Sequence, residues 1–480
     1  MERGTVNITT KPNPYFLFPQ LYNFRYNIYS SDWTIANRLI ELYLQNKEDN
    51  NRMRQMNGIS NNEKSNLLIQ QRPFKELLND PEQRDLLDNI ISLKANVLFA
   101  PAELNVGFME FRDSIRSYLN ANRFTNIRFE DLLDEMSAVS GENLHAAIAT
   151  WDLPTKLPAY IVNNPVITYI INRDVEVYVV KLQITNDSDY DGIVDVETLF
   201  GGFSAVDDPR AKRKISLAAR ETKQIVNVWD EAPRSINVNT LISANLPNLI
   251  NMPASNIARE QNVPIDKEGD FILSNVNYNI SGEVIVDNED YGLFELSRPD
   301  IVGLLPQWLD QVGDNSFPYQ GVQGFRPPLQ WTLTTNEKYY GTHIRSAYVI
   351  KSGGGSQTAT WKVPVPSKGL YDLYYYVNQP EELRRGQNNR GGGGFGSMEY
   401  HLKVKYDGGE DNAYINLRRA REGWSRVGAY YFSDDTIKVV LSNDVTNVRM
   451  VTADAVKIVK RASSEDRDLL DESTELARVE

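Results

Sequence analysis

Leu370-Tyr371-Asp372-Leu373-Tyr374-Tyr375-Tyr376-Val377 is the stretch whose reading decides the fold of the C-terminal part of the chain. Successive side chains of a strand point to opposite faces, so one face takes Tyr371, Leu373, Tyr375 and Val377 and the other takes Asp372, Tyr374 and Tyr376. Aromatic residues suit such a pleated, half-buried surface. The segment Met398 to Tyr406 divides in the same way. Tyr400, Leu402, Val404 and Tyr406 are expected inside, with Glu399, His401, Lys403 and Lys405 outside. If the two strands are neighbours, their outer residues form one surface of rings beside hydrogen-bonding groups. Asp372, Tyr374, Tyr376, His401 and Lys403 are then candidate binding residues, because a sugar needs a flat apolar platform for its C–H face and polar partners for its hydroxyls. The plainer reading is that tyrosine suits strands and tolerates exposure.

Outward from this pair, further strands are expected at 359–365, 414–417, 430–432, 437–441 and 453–459, with a turn at Asp407-Gly408-Gly409 and a Gly/Asn/Arg-rich hairpin tip from Arg384 to Gly396. Together they make an antiparallel sandwich over 336–460. Upstream, 286–335 reads as a connector: Val286-Asp287-Asn288-Glu289-Asp290-Tyr291-Gly292 is turn-rich, Leu304 to Leu309 is a short helix, and Pro318, Pro327 and Pro328 punctuate the rest. Residues 159–285 again alternate with a period of two, as in Val175, Val177 and Val179, and read as an immunoglobulin-like β-sandwich.

Before Pro154 and Pro158 the period is helical. Asp32 is an expected N-cap ahead of Trp33, Ala36, Leu39, Ile40 and Tyr43, Ser60 with Glu63 spells a capping box, and Thr125 is an expected cap for the last pair of helices. Gly141 stands where a helix should stop. The expected fold is therefore multidomain α+β: a helical segment (1–158), an immunoglobulin-like sandwich (159–285), a connector (286–335), a jelly-roll-like sandwich (336–460) and a charged tail (461–480).

The whole-chain totals narrow the function. The chain has 480 residues, 41% hydrophobic and 24% charged, with a net charge of -13. An acidic balance argues against nucleic acid, whose phosphates require clustered Lys and Arg. There is no cysteine, which removes disulfides, thiolate metal sites and cysteine nucleophiles. No run approaches the roughly 18 apolar residues of a membrane span, so no membrane insertion is expected. Met1-Glu2-Arg3-Gly4-Thr5 does not open a signal peptide. Either the protein is cytoplasmic or its targeting sequence lies outside this chain. Gly391 to Gly394 is not followed by Lys-Ser/Thr, and no Gly-x-Ser-x-Gly occurs, so neither a phosphate cradle nor a serine-hydrolase elbow is expected. A lyase or glycosidase built from scattered Tyr, Arg, His or carboxylates stays open. Trp361 and Trp424 are expected as core or edge packing, with a ligand platform as the alternative. Asp454, in an apolar strand, is expected to satisfy a backbone group, with a structural cation as the alternative. Asp287, Glu289 and Asp290 lack the spacing of a calcium loop.

Two segments resemble known families. Phe111-Arg112-Asp113-Ser114-Ile115-Arg116-Ser117-Tyr118-Leu119, then Phe129-Glu130-Asp131-Leu132-Leu133, Ser140-Gly141-Glu142-Asn143-Leu144 and Leu157-Pro158-Ala159-Tyr160, resemble the last catalytic-domain helices of aminopeptidase N-type zinc peptidases. That family holds zinc through His-Glu-x-x-His and a later Glu. Here His145, His343 and His401 precede Ala, Ile and Leu, so no zinc ligand carries over. The second resemblance covers 336–460. Tyr340-Gly341-Thr342-His343-Ile344-Arg345-Ser346-Ala347, Ala359-Thr360-Trp361, Gly369-Leu370-Tyr371-Asp372-Leu373-Tyr374, Glu422-Gly423-Trp424-Ser425-Arg426-Val427-Gly428 and Ala453-Asp454-Ala455-Val456-Lys457 look like the golvesin C-terminal/xanthan-lyase carbohydrate-binding-like domain. The resemblance implies an appended β-sandwich of a bacterial extracellular protein.

The resulting expectation is a non-catalytic accessory or binding protein of the bacterial envelope, extracellular, periplasmic or at the cell surface. Its expected partner is a polysaccharide or cell-surface glycan, with no cofactor and no metal. Protein contacts alone are a further alternative. An enzyme remains the competing class: the C-terminal part of a zinc aminopeptidase-like protein whose motif lies outside this chain, or a xanthan-lyase-like polysaccharide lyase.

Overall fold

The computed structural model describes residues 26–45, 59–172, 175–201, 208–254, 257–274, 282–297, 318–322, 326–378, 398–406, 409–445 and 448–461. The expected Leu304–Leu309 helix, the Arg384–Gly396 hairpin tip and the tail beyond Arg461 lie outside the described residues, as do residues 1–25. By contacts the chain divides into two compact units, 1–50 with 60–274, and 51–59 with 275–480. Together they make a multidomain α+β protein, mostly β-sandwich, with helices in its N-terminal part.

In the N-terminal unit a central helix, Leu87–Val106, packs against Ala36–Gln45, Asn61–Gln71, Phe108–Ala121 and Phe129–Ser140. Their apolar stripes meet in one core containing Leu39, Ile90, Phe99, Phe111, Ile115 and Leu132. The Ser60/Glu63 capping box forms, and Gly141 ends its helix in the left-handed conformation at φ 75°. Two expected caps do not form. The first helix starts at Ala36, well after Asp32, and it is the Ser30 hydroxyl that accepts from the Asp32 and Trp33 N–H groups. Thr125 donates to the Asn122 carbonyl instead, because Asn126–Arg128 leaves the helical path to pair with Asn27–Tyr29 as a parallel ribbon.

The same unit carries a two-sheet sandwich. One sheet runs, in spatial order, Leu249–Pro253, Pro233–Asn239, Gly192–Phe200 and Lys212–Leu217. The other is centred on Val175–Asn186, flanked by Val166–Asn172 and Thr222–Trp229. The inter-sheet core takes Val180, Leu182 and Ile184 against Val194, Val196 and Ile215. Val177 and Val179, from the alternation read in the sequence, belong to the opposite face and pack with Ile170 and Val226, while Val175 is exposed. The Val175–Asn186 strand thus buries apolar residues on both faces.

The C-terminal unit is a second antiparallel sandwich. One sheet is ordered Glu283–Val286, Val456–Lys460, Gly369–Val377, Gly423–Phe432. The facing sheet is ordered Phe294–Leu296, Thr358–Pro364, Thr436–Ser442, Glu399–Tyr406, Gly409–Asn416. A three-stranded sheet of Thr332–Thr335, Ser346–Lys351 and Met450–Ala453 completes it. Trp361, Tyr371, Leu373, Tyr375, Tyr400, Leu402, Val439 and Ile458 fill the space between the sheets. The segment read as a connector supplies strands: Phe294–Leu296 and Thr332–Thr335 lie within 286–335, and Glu283–Val286 sits at its head. The Asp287–Gly292 turn links Glu283–Val286 to Phe294–Leu296, with the Asp287 N–H donating to Asp290 Oδ2. Strands of three or four residues are too short to show a period. Among the described residues no helix is long and apolar enough to cross a membrane.

Candidate ligand-binding face of the C-terminal sandwich

The alternation of Gly369–Val377 is seen directly. Tyr371, Leu373, Tyr375 and Val377 are buried, while Asp372, Tyr374 and Tyr376 are partly exposed on the outer face. Glu399–Tyr406 divides likewise, with Tyr400, Leu402 and Val404 inside and His401 and Lys403 outside. The two strands are not neighbours. They belong to opposite sheets, and their inward rings meet across the core, Tyr375 edge-on to Tyr400 at 6.1 Å. The five candidate residues therefore fall on two separate surfaces. Asp372, Tyr374 and Tyr376 share one, and His401 and Lys403 lie on the other side of the sandwich. A period of two fixes which face a residue takes but not which strand lies alongside.

The first surface gains its character from neighbours. Trp424 is the cross-strand partner of Tyr376 and Arg426 that of Tyr374, while Lys457 flanks Tyr374 from the other side. Trp424 and Tyr376 meet edge to face at 5.1 Å, and Tyr340 closes the group at 5.1 Å from Trp424 and 5.4 Å from Tyr376. Lys457 Nζ lies 5.0 Å from the Trp424 ring and 5.3 Å from the Tyr374 ring, and 3.1 Å from Glu283 Oε1. These contacts hold partly exposed rings in a fixed arrangement, each edge-to-face or cation–π contact adding on the order of 1 kcal/mol.

Beside the rings, Asp372 accepts from Arg461 at 2.7 and 2.9 Å and from Arg426 at 2.7 Å. The Arg461 guanidinium, helped by Arg426, holds this carboxyl below the usual carboxylate range. Two cations on one carboxylate leave donor capacity directed to solvent, and an acid so held does not donate a proton at neutral pH. Burial, reinforced by the Asp287 and Asp290 charges, pushes the Tyr340 hydroxyl up to about 12, so it remains a neutral donor.

Tyr340 is placed by two features. Its backbone N–H donates to both oxygens of the fully buried Asp454, at 3.1 and 3.2 Å. Gly341 follows at φ 145°, and a Cβ there would lie 1.8 Å from the Ile344 carbonyl oxygen, so the turn admits no side chain. Asp454 thus satisfies a backbone group, and its own carbonyl accepts from Trp361 Nε1 at 3.1 Å. Trp361 is core, as expected. Trp424 packs at the sheet edge, on the outer face of Gly423–Phe432 against Tyr340 and Tyr376, and its place beside Tyr376 was not read from the sequence. Its signal was the shared alternation of Trp424 and Arg426 in Gly423–Phe432, legible only once that strand is paired with Gly369–Val377.

On the opposite surface His401 meets the exposed Tyr414 ring edge-on at 5.1 Å, and Lys403 pairs with Glu410 at 2.9 Å. Solvent screens exposed pairs of this kind, so they add little to stability. Among the described residues no three His, Cys, Asp or Glu side chains gather so that they could hold a metal ion.

A multidomain chain whose C-terminal sandwich presents clustered rings on an outer sheet face is the class that fold and site define. Residues 323–460 match the family model of the Golvesin C-terminal domain. Among solved structures the chain is similar to a xanthan lyase of Paenibacillus, at 14% identity and a TM-score of 0.25, over 65% of this chain and 28% of that one. It is also similar to a family 35 carbohydrate binding module from Clostridium thermocellum, at 13% identity and a TM-score of 0.20, over 28% of this chain and 90% of that one. A third likeness is to aminopeptidase A of Legionella pneumophila, at 14% identity and a TM-score of 0.19, over 38% of this chain and 19% of that one. The chain thus spans only 28% of the length of the lyase. No curated protein matches it. The fold rests on its own strand order and not on these likenesses.

Proposed function

We propose that the chain is a binding, non-catalytic portion of a bacterial cell-envelope protein and that it takes a polysaccharide or cell-surface glycan on the outer face of Gly369–Val377. The observation that carries this reading is the fixed cluster of Tyr340, Tyr376 and Trp424 rings, 5.1 to 5.4 Å apart, with Tyr374 and the Asp372–Arg426–Arg461 group alongside. Rings offer their faces to the C–H side of a sugar, and the guanidiniums offer donors to its hydroxyl or carboxylate oxygens. Asp372, Tyr374 and Tyr376 keep the binding role that the sequence suggests. His401 and Lys403 have no part in this surface. The match of 323–460 to the Golvesin C-terminal domain supports reading the sandwich as an appended module, and a surface glycan as ligand sets the location at the envelope.

A glycan array probed with the full chain tests the proposal. Saturable signal on a subset of glycans, reduced about tenfold or more in a folded Trp424→Ala variant, is the expected result. Signal that the variant leaves unchanged would move the ligand elsewhere.

A further inference from the structure

The N-terminal unit contains a polar recess, unrelated to the face above. It opens between the Leu87–Val106 helix and the outer face of the Gly192–Phe200/Pro233–Asn239 sheet. Period-two geometry builds its floor. Val194, Val196, Ile236 and Val238 point into the sandwich core, which turns Asp195, Glu197, Asn237 and Asn239 outward. The register then lays two rows across the sheet, Asn239–Asp195–Lys214 and Asn237–Glu197–Lys212.

The charges in the recess cancel. Lys214 lies 2.6 Å from Asp195 and 3.0 Å from the buried Glu103, Arg112 lies 3.1 Å from Glu103, and Lys212 lies 3.6 Å from Glu197. Three cations face three carboxylates, so the site exerts little net pull on an ion. Much of the remaining polar wall is amide. Asn237 Oδ1 accepts from Asn251 at 2.6 Å and Asn239 Oδ1 accepts from the Leu241 N–H at 2.9 Å, which leaves each side-chain NH2 group without a partner among the described residues. Asn248 also lines the recess and is only 7% exposed, yet its side-chain amide makes no hydrogen bond among the described residues. The Asn248 amide therefore faces the recess and not a protein partner, which leaves its donor and acceptor for whatever occupies the recess.

We infer that this recess binds a short neutral saccharide. Asparagine amides carry donor and acceptor together and match hydroxyl groups, which do the same. Leu249 and the edge of Phe108, whose ring carries Arg112 at 4.2 Å, are the apolar part of the lining. A peptide fits the geometry less well. Peptides dock by adding a strand at a sheet edge or by laying an apolar helix face into an apolar groove. Here the walls are side chains of a sheet face and a helix, and they are polar.

The test uses the full chain with its C-terminal face disabled by Tyr376→Ala/Trp424→Ala, titrated by saturation-transfer NMR with glucose, galactose, mannose, cellobiose and maltose as probes. Saturable binding of at least one, weakened about tenfold by Asn237→Leu/Asn239→Leu at unchanged folding, is expected. Asn96→Ala, from the helix wall, is the second variant should the first fail to fold, and a similar loss is expected there. Absence of saturable binding to all five probes by the folded chain would overturn the inference. So would binding that neither variant alters, or selection of an amide-rich peptide in preference to every sugar.

Discussion

At the residue scale, Asp454 links the core to the proposed binding face. It is fully buried, it receives the Tyr340 N–H, and burial together with the nearby Asp287 charge pushes its carboxyl well above the usual range. Asp454→Ala leaves the Tyr340 N–H unpaired and opens a small void. We expect a loss of about 1–3 kcal/mol in denaturant unfolding, together with weaker glycan binding as the Tyr340 ring loses its anchor. Asp454→Asn keeps an acceptor oxygen and should lose clearly less of both. Equal losses for the two variants would show that accepting the Tyr340 N–H is not what Asp454 contributes. The sequence reading put Asp454 inside an apolar strand over 453–459; the structure ends one strand at Ala453 and begins the next at Val456, with Asp454 in the break between them. The sequence did not announce the partner, because Tyr340 lies 114 residues away.

At the element scale, what was legible was what depends on one segment alone. The Ser60/Glu63 box, the Gly141 stop and the inside–outside division of Gly369–Val377 are all set within a few residues, and all three are present. What failed needed knowledge of a second segment. Whether Gly369–Val377 and Glu399–Tyr406 pair is decided by tertiary order, which placed them in opposite sheets and split the candidate site. The strands inside the supposed connector were hidden by their shortness and by the acidic turn that precedes Phe294–Leu296. That turn has a measurable consequence. Burial pushes the Asp287 carboxyl up to about 8, with Asp290 and Glu289 adding to the rise. Its folded value lies above its unfolded value near 3.8. Its contribution to stability is therefore complete below about pH 4 and is lost as pH rises towards about 8. We expect the C-terminal unit to lose stability across that window in urea titrations, and Asp287→Asn to flatten the dependence. A wild-type profile level from pH 4 to pH 8 would contradict this assignment.

At the scale of the whole molecule, each unit carries a sandwich of its own. A net charge of -13 disfavours a generic attraction to anionic polymers, so the proposed recognition rests on local geometry at the Tyr340/Tyr376/Trp424 cluster. The central claim is that this cluster, on one side of the C-terminal sandwich only, receives the glycan. Isothermal titration of the full chain with one glycan that scores on the array tests it most directly, with Tyr376→Ala/Trp424→Ala set against His401→Ala/Lys403→Ala. The account predicts an affinity loss of tenfold or more, about 1.4 kcal/mol, for the first pair and an unchanged affinity for the second. Loss with the second pair and not the first would place the ligand on the opposite sheet and contradict the account.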